Sequence, residues 1–115
     1  MKEKLYHYKA TVLRVIDGDT IDVNPIKLGF NLEIAGPTRL RFNRINAPEK
    51  TGVEKPLGIK SKEHLVALLP PGTEIIINTV STDSFGRWLS ELFLLDGENI
   101  NDHMVKEGFA AYKKY

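Results

Sequence analysis

The chain has 115 residues, 42% of them hydrophobic and 27% charged, with a net charge of +1. That is enough for one folded domain and too little for two, and the balance is that of an ordinary globular protein, not a disordered one. With no cysteine and three histidines (His7, His64, His103) scattered without the spacing of a zinc site, thiolate chemistry, disulfides and a histidine-rich metal centre are excluded.

Tyr6 to Ile16 alternates as a strand, with Thr11, Leu13 and Val15 on one face and Val12 and Ile16 on the other. Asp17-Gly18-Asp19 is a tight-turn signal, and Thr20 to Val23 is the returning strand. Asn24 to Thr38, with Pro25, Gly29, Gly36 and Pro37, reads as a loop or a loose hairpin lip. Thr38 to Asn43 is a third strand on which Arg39 and Arg41 share a face. Ile45 to Gly58 is a long loop.

Ile59 to Leu69 is helical, with Ile59, Leu65, Val66 and Leu69 on one side and Pro70-Pro71-Gly72 as the stop. His64 falls on its exposed side. Glu74 to Val80 is a buried strand. Trp88 to Leu95 is another, with Trp88 in the core, ended by the Asp96-Gly97 turn. Ile100 to Glu107 is a second helix with Asn99 as N-cap and Gly108 as its C-terminal stop. Ile100, Met104 and Val105 form its inward face. Asn101 falls among them, so its side chain must be hydrogen-bonded or cost about 1–3 kcal/mol. Five short strands with a helix between the third and fourth predict an α+β, mainly β fold: a five-stranded OB-type barrel with two helices, one domain over residues 1–115.

Two acidic clusters and two arginines stand out on this frame: Asp17 and Asp19, Glu49 after Pro48, Arg41 and Arg87. Without cysteine or paired histidine, carboxylates are the available metal ligands, which points to calcium or magnesium. Guanidinium groups grip phosphate. Together they suggest metal-assisted attack on a phosphodiester. A charge of +1 is not that of a dedicated nucleic-acid binder, so a polyanion would be gripped locally. The first residues hold no apolar run that could act as a secretion signal, and no stretch reaches membrane-spanning length. The chain as written is therefore expected to be cytoplasmic, or a mature form already stripped of a signal, and not membrane-bound.

Ile16-Asp17-Gly18-Asp19-Thr20, then Arg41 with Ile45-Asn46-Ala47-Pro48-Glu49, then Asp83-Ser84-Phe85-Gly86-Arg87 resemble the staphylococcal nuclease (thermonuclease) family in kind and order. Asn99-Ile100-Asn101 and Glu107-Gly108-Phe109-Ala110 extend the match to nearly the whole chain. The resemblance implies an OB-fold enzyme that cleaves DNA and RNA with calcium and leaves 3′-phosphates. It assigns Asp19, Asn46 and the backbone carbonyl of Ala47 to the metal, and Glu49 to the attacking water as general base or positioning group. Arg41 and Arg87 go to the scissile phosphate, with Arg39 in reserve should the strand register differ by two. Asp17 and Thr20 support the ligands, and Asp83 places Arg87.

Phe85 could stack on a base. Tyr112 and Tyr115 either do the same or cover the open end of the core. Lys113 and Lys114 read as a solvated tail.

Three features depart from the family. The second ligand position holds Asn46 where Asp is usual, which keeps an oxygen donor but removes a charge. The family usually continues into a third, C-terminal helix, which is apparently absent here. The Asn24–Thr38 segment is longer than in the staphylococcal enzyme. The competing readings are a catalytically silent OB module that binds nucleic acid or protein, and an accessory domain completed by a partner, with dimerisation through Asn24–Thr38 as one route to a homo-oligomer. Retention of Asp19, Arg41, Glu49 and Arg87 favours the enzyme, acting preferentially on single strands.

Overall fold

A computed structural model describes residues 6–48 and 52–113. In chain order the elements are β1 (His7–Asp17), β2 (Thr20–Gly29), β3 (Leu32–Ile34), β4 (Thr38–Phe42), β5 (Ile45–Asn46), a 3-10 turn (Gly52–Glu54), α1 (Lys55–Leu68), β6 (Glu74–Thr82), β7 (Trp88–Phe93), α2 (Ile100–Lys106) and β8 (Ala111–Tyr112). The strands run β1-β6-β7-β4-β2, and β2 pairs back onto β1, which closes a five-stranded barrel. Only the β4–β7 pairing within it is parallel. This is the mainly β OB-type architecture that the order of elements predicts. Extra residues in β1, before Arg14 and again before Asp17, and one in β2 between Val23 and Ile26 bend the pair so that β1 can serve both neighbours. No helix among the described residues is long and apolar enough to cross a membrane.

The core gathers Val12, Ile21, Leu40, Phe42, Ile75, Ile77 and Leu92 from the barrel with Leu65 of α1 and Ile100 and Met104 of α2. Trp88 packs against it, partly buried. Asn99 caps α2 by accepting a hydrogen bond from the Asp102 backbone N–H, as its sequence signature predicts. Asn101 is fully buried and fully satisfied. Its Oδ1 accepts from Leu92 N at 3.1 Å, and its Nδ2 donates to Asn43 O at 2.9 Å and Ser90 O at 3.0 Å.

Four expectations change. Asn24–Thr38 is mostly a regular hairpin: β2 continues to Gly29, and β3 returns through a two-residue turn whose Phe30 and Asn31 both have positive φ. Pro25 had argued for a loop. It is tolerated because it lies where β2 passes from its β4 ladder, ending at Val23, to its β3 ladder, starting at Ile26. The Ile45–Gly58 loop is interrupted by β5 and the 3-10 turn, and α1 begins at Lys55 with Pro56 in its first turn, where the missing N–H costs nothing.

The buried face of α1 is Gly58, Ser61 and Leu65, whereas Ile59 and Val66 remain 39% and 41% exposed. The small residues let the helix approach the β1–β2 turn: a Cβ on Gly18 would lie 1.9 Å from Ser61 Oγ, which itself donates to Phe109 O. Finally, His64 is not an idle surface residue. Its ring stacks on Phe109 at 4.3 Å between centroids, and its Nε2 lies 3.0 Å from Nε2 of His103, tying α1 to α2.

Arg39 leaves the candidate phosphate site for a structural role. It grips Asp22 through two bonds of 2.8 and 3.0 Å, and Arg14 adds a third at 2.9 Å. The Arg39 hydrogen bonds hold the Asp22 carboxyl below its ordinary value of 3.8 in spite of burial, with the Arg14 charge adding to the effect. A carboxyl depressed in the folded state contributes stability that is fully present above its ordinary value and is lost as pH falls through the folded value. Urea midpoints of the wild type should therefore drop as pH is lowered below about 4, and Asp22→Asn should lack that part of the drop. Identical acid slopes in the two proteins would remove Asp22 from the acid response.

Candidate active site

Three chain segments meet at one end of the barrel. The β1–β2 turn delivers Asp19, because Asp17 pairs with Thr20 and leaves only Gly18 and Asp19 at the corner. β4 runs beside β2 with Arg41 opposite Thr20, so the arginine emerges next to Asp19. β5 then brings Asn46, followed by Ala47 and Pro48.

Asp19 is held on both oxygens. Thr20 Oγ1 donates to Oδ1 at 2.9 Å, the Ala47 backbone N–H donates to Oδ2 at 2.8 Å, and an Arg41 nitrogen lies 3.4 Å from Oδ2. Arg41 is only 6% exposed. Its Nη1 donates to Phe42 O at 2.7 Å and Ile45 O at 2.9 Å, and its Nη2 to Asn46 Oδ1 at 3.0 Å. It therefore closes the β4–β5 corner while presenting its charge between Asp19 and Asn46.

Arg87 comes from the β6–β7 connection. Asp83 accepts from the backbone N–H groups of Phe85 and Arg87, and its Oδ2 takes Arg87 Nε at 2.7 Å. Partial burial pushes the Asp83 carboxyl up, but the hydrogen bonds from Arg87 and Phe85 outweigh it and leave the group below its ordinary value. Asp83 thus stays ionised and aims the guanidinium, which also sits 5.3 Å above the ring centre of Phe85.

The side chains converge on a polar cavity of about 220 Å³ lined by Asp17, Asp19, Arg41, Asn46, Ala47, Pro48, Arg87 and Lys113. A neighbouring groove of about 340 Å³ is lined by Arg41, Asp83, Ser84, Phe85, Arg87, Leu89 and Lys113. Glu49 and Tyr115 lie outside the described residues, although Glu49 directly follows Pro48 of the cavity wall. Tyr112 belongs to neither cavity. Its hydroxyl donates to Asp102 Oδ1 at 2.8 Å and its ring lies under Arg44, so it braces α2 against the β4–β5 corner. Hydrogen bonds from Arg44, and then from Tyr112, keep Asp102 below its ordinary value despite burial.

Two features escaped the sequence reading. Lys113, read as tail, lines both cavities. Arg44 anchors the corner that carries Asn46 through Glu91 and Asp102, with bonds of 2.6–2.9 Å. Neither had a sequence signal beyond an ordinary charged residue, because both depend on strands far apart in the chain.

The side-chain oxygen donors among the residues that line the cavity are the carboxylates of Asp17 and Asp19 and the Asn46 amide. They are hard ligands of the mixed kind that calcium accepts. Among the described residues no three His, Cys, Asp or Glu side chains form a group that could hold a metal ion.

The profile described as Staphylococcal nuclease homologue matches residues 39–115. The chain is 33% identical over 113 residues to Endonuclease YhcR of Bacillus subtilis (strain 168), a match covering 90% of this chain and 9% of that protein. It is 32% identical over 105 residues to an uncharacterized endonuclease of Escherichia coli O157:H7, covering 90% of this chain and 61% of the relative. It is also 30% identical over 114 residues to Protein ParB of Escherichia coli, covering 91% and 58%. The chain thus spans less than two thirds of the length of each of these relatives. The profile match over most of the chain, on a barrel of the matching architecture, shows that this chain belongs to the staphylococcal nuclease homologue family.

Proposed function

We propose that this chain is a nuclease domain that hydrolyses phosphodiester bonds of DNA and RNA, with calcium as cofactor, single strands as preferred substrate and 3′-phosphates as products. The observation that carries the reading is the convergence of Asp19, Arg41, Asn46 and Arg87, from four separate segments, on one polar cavity. Family membership and two relatives named as endonucleases point the same way.

Each side chain has a task in this chemistry. Arg41 and Arg87 hold the non-bridging oxygens of the scissile phosphate and stabilise the extra negative charge of the transition state. Arg41 does so from a nearly immobile position, since two backbone carbonyls already hold Nη1. Asp19, Asn46 and the Ala47 carbonyl would hold the cation, which would supply Lewis-acid stabilisation of a phosphate oxygen. Glu49 acts on the attacking water, as general base or by positioning it. Attack at phosphorus breaks the bond to the 5′ oxygen, which leaves as a hydroxyl and keeps the phosphate on the 3′ side.

The test is digestion of single-stranded DNA and RNA with calcium titrated against chelator, followed by end-group analysis. Cleavage should require the metal and yield 3′-phosphates; activity that persists in saturating chelator would sink the calcium mechanism. Binding without cleavage at any metal concentration would return the chain to the silent-module reading. Asn46→Asp should tighten calcium binding by at least about tenfold, on the order of 1.4 kcal/mol, because it adds a charge next to the ion. The new carboxylate also attracts Arg41 Nη2, now 3.0 Å from Oδ1, which limits the gain. An unchanged calcium titration would show that residue 46 is not a ligand.

A further inference from the structure

Three residues line both the polar cavity and the adjoining groove beside Phe85: Arg41, Arg87 and Lys113. All three are cations, and they form the boundary between the two spaces. The carboxylates Asp17 and Asp19 lie on one side of that boundary, the exposed Phe85 ring on the other.

We propose that Lys113 is a third phosphate-binding residue of the site, contacting the backbone of a nucleic-acid strand that crosses from the carboxylate cavity to Phe85. This rests on the nuclease reading above and adds to it a substrate contact from the C-terminal strand.

The backbone places the side chain. Ala111 pairs with Asn46 and Tyr112 with Ile45, and the Lys113 N–H donates to Arg44 O at 2.7 Å. Alternation along β8 sends Tyr112 to one side, where Asp102 and Arg44 hold it, and Lys113 to the other, toward the cavity. The backbone of the lysine is thus fixed at the β4–β5 corner.

Charge supplies the reason. Both arginines are partly committed within the protein, Arg41 beside Asp19 and Arg87 on Asp83. Before any cation binds, Asp17, Asp19 and Asp83 are three carboxylates around these cavities against two guanidinium groups, which is a poor field for a polyanion. Lys113 brings the protein's own charges there to three against three. An ammonium, as a compact point charge, suits a neighbouring backbone phosphate, whereas the planar guanidinium groups suit the reacting one.

The test compares steady-state cleavage of a single-stranded DNA oligonucleotide by wild type, Lys113→Gln, Lys113→Arg and the control Lys106→Gln on the exposed side of α2, across a salt series with saturating calcium. One lost phosphate contact should raise KM on the order of three- to tenfold and lower the slope of log KM against log salt by about 0.7. The kcat should stay within about twofold, since a contact to a phosphate that does not react binds ground and transition states alike. Lys113→Arg should restore both KM and slope, and Lys106→Gln should change neither.

Equal KM and equal salt slope in Lys113→Gln and wild type would overturn the proposal and return Lys113 to a solvated tail, with the nuclease reading intact. A comparable rise in KM for Lys106→Gln would also overturn it, by showing diffuse attraction in place of a contact. If wild type cleaves nothing in calcium, the nuclease reading fails and takes this proposal with it.

Discussion

Arg87→Ala is expected to slow phosphodiester cleavage by about 10²–10³-fold, the usual cost of removing one preorganised donor to developing transition-state charge. The loss should fall on kcat, and the melting temperature should barely move. Arg87 is the better of the two arginines for this experiment because of what each holds. Its side chain bonds to Asp83, and Asp83 keeps two backbone N–H partners when the guanidinium is gone, so the turn survives. Arg41 ties Phe42 O and Ile45 O together, so its removal would open the β4–β5 corner and mix folding with catalysis. A kcat within about threefold of wild type would take Arg87 out of the transition state, since such a change is under 1 kcal/mol.

The largest effect on stability is expected at Asn101. Asn101→Leu keeps the volume but strands Leu92 N–H and Asn43 O, each costing about 1–3 kcal/mol when buried without a partner, and takes one of two hydrogen bonds from Ser90 O, which keeps the Asn43 N–H. A total of roughly 3–5 kcal/mol is a large part of the 5–15 kcal/mol typical of a domain. Urea unfolding should therefore show a midpoint shifted far down with an unchanged m-value. Because Asn43 begins the corner that carries Arg44 and Asn46, cleavage should also fall at temperatures where the variant is still folded. A loss below about 1 kcal/mol would mean that water replaces the amide, which would mark this layer as wetter than its complete burial indicates.

The two positions differ in how visible they were. Asn101 was legible as a buried polar residue from helical periodicity alone, and its need for partners followed from elementary energetics. Which partners it would find was not, because they lie on β7 and just past the end of β4. The strands β1, β4, β6 and β7 and helix α2 were legible, since period-2 and period-3.6 patterns and capping residues are local. The β2–β3 hairpin was obscured by Pro25 and by a Phe30-Asn31 turn that lacks the usual Asn-Gly or Asp-Gly signal. The buried face of α1 was misassigned because the reading weighed apolar residues and passed over Gly58 and Ser61. Those two bury for the opposite reason: they are small enough to admit the Gly18 turn.

The amino-acid sequence by itself determined the barrel and the family resemblance, and it singled out Asp17, Asp19, Arg41, Asn46, Ala47 and Arg87, which the fold brings to one cavity. These were readable because each sits in a short motif at a strand end or turn, where local chemistry and order along the chain carry the information. Only the tertiary structure decided how the charges are shared. It sent Arg39 to Asp22 and Arg41 to Asp19, turned Tyr112 toward Asp102, and brought Lys113 from the end of the described chain to stand with the arginines. The reason is physical: an ion pair or cavity wall depends on distance in space, and strand pairing, not sequence proximity, sets that distance.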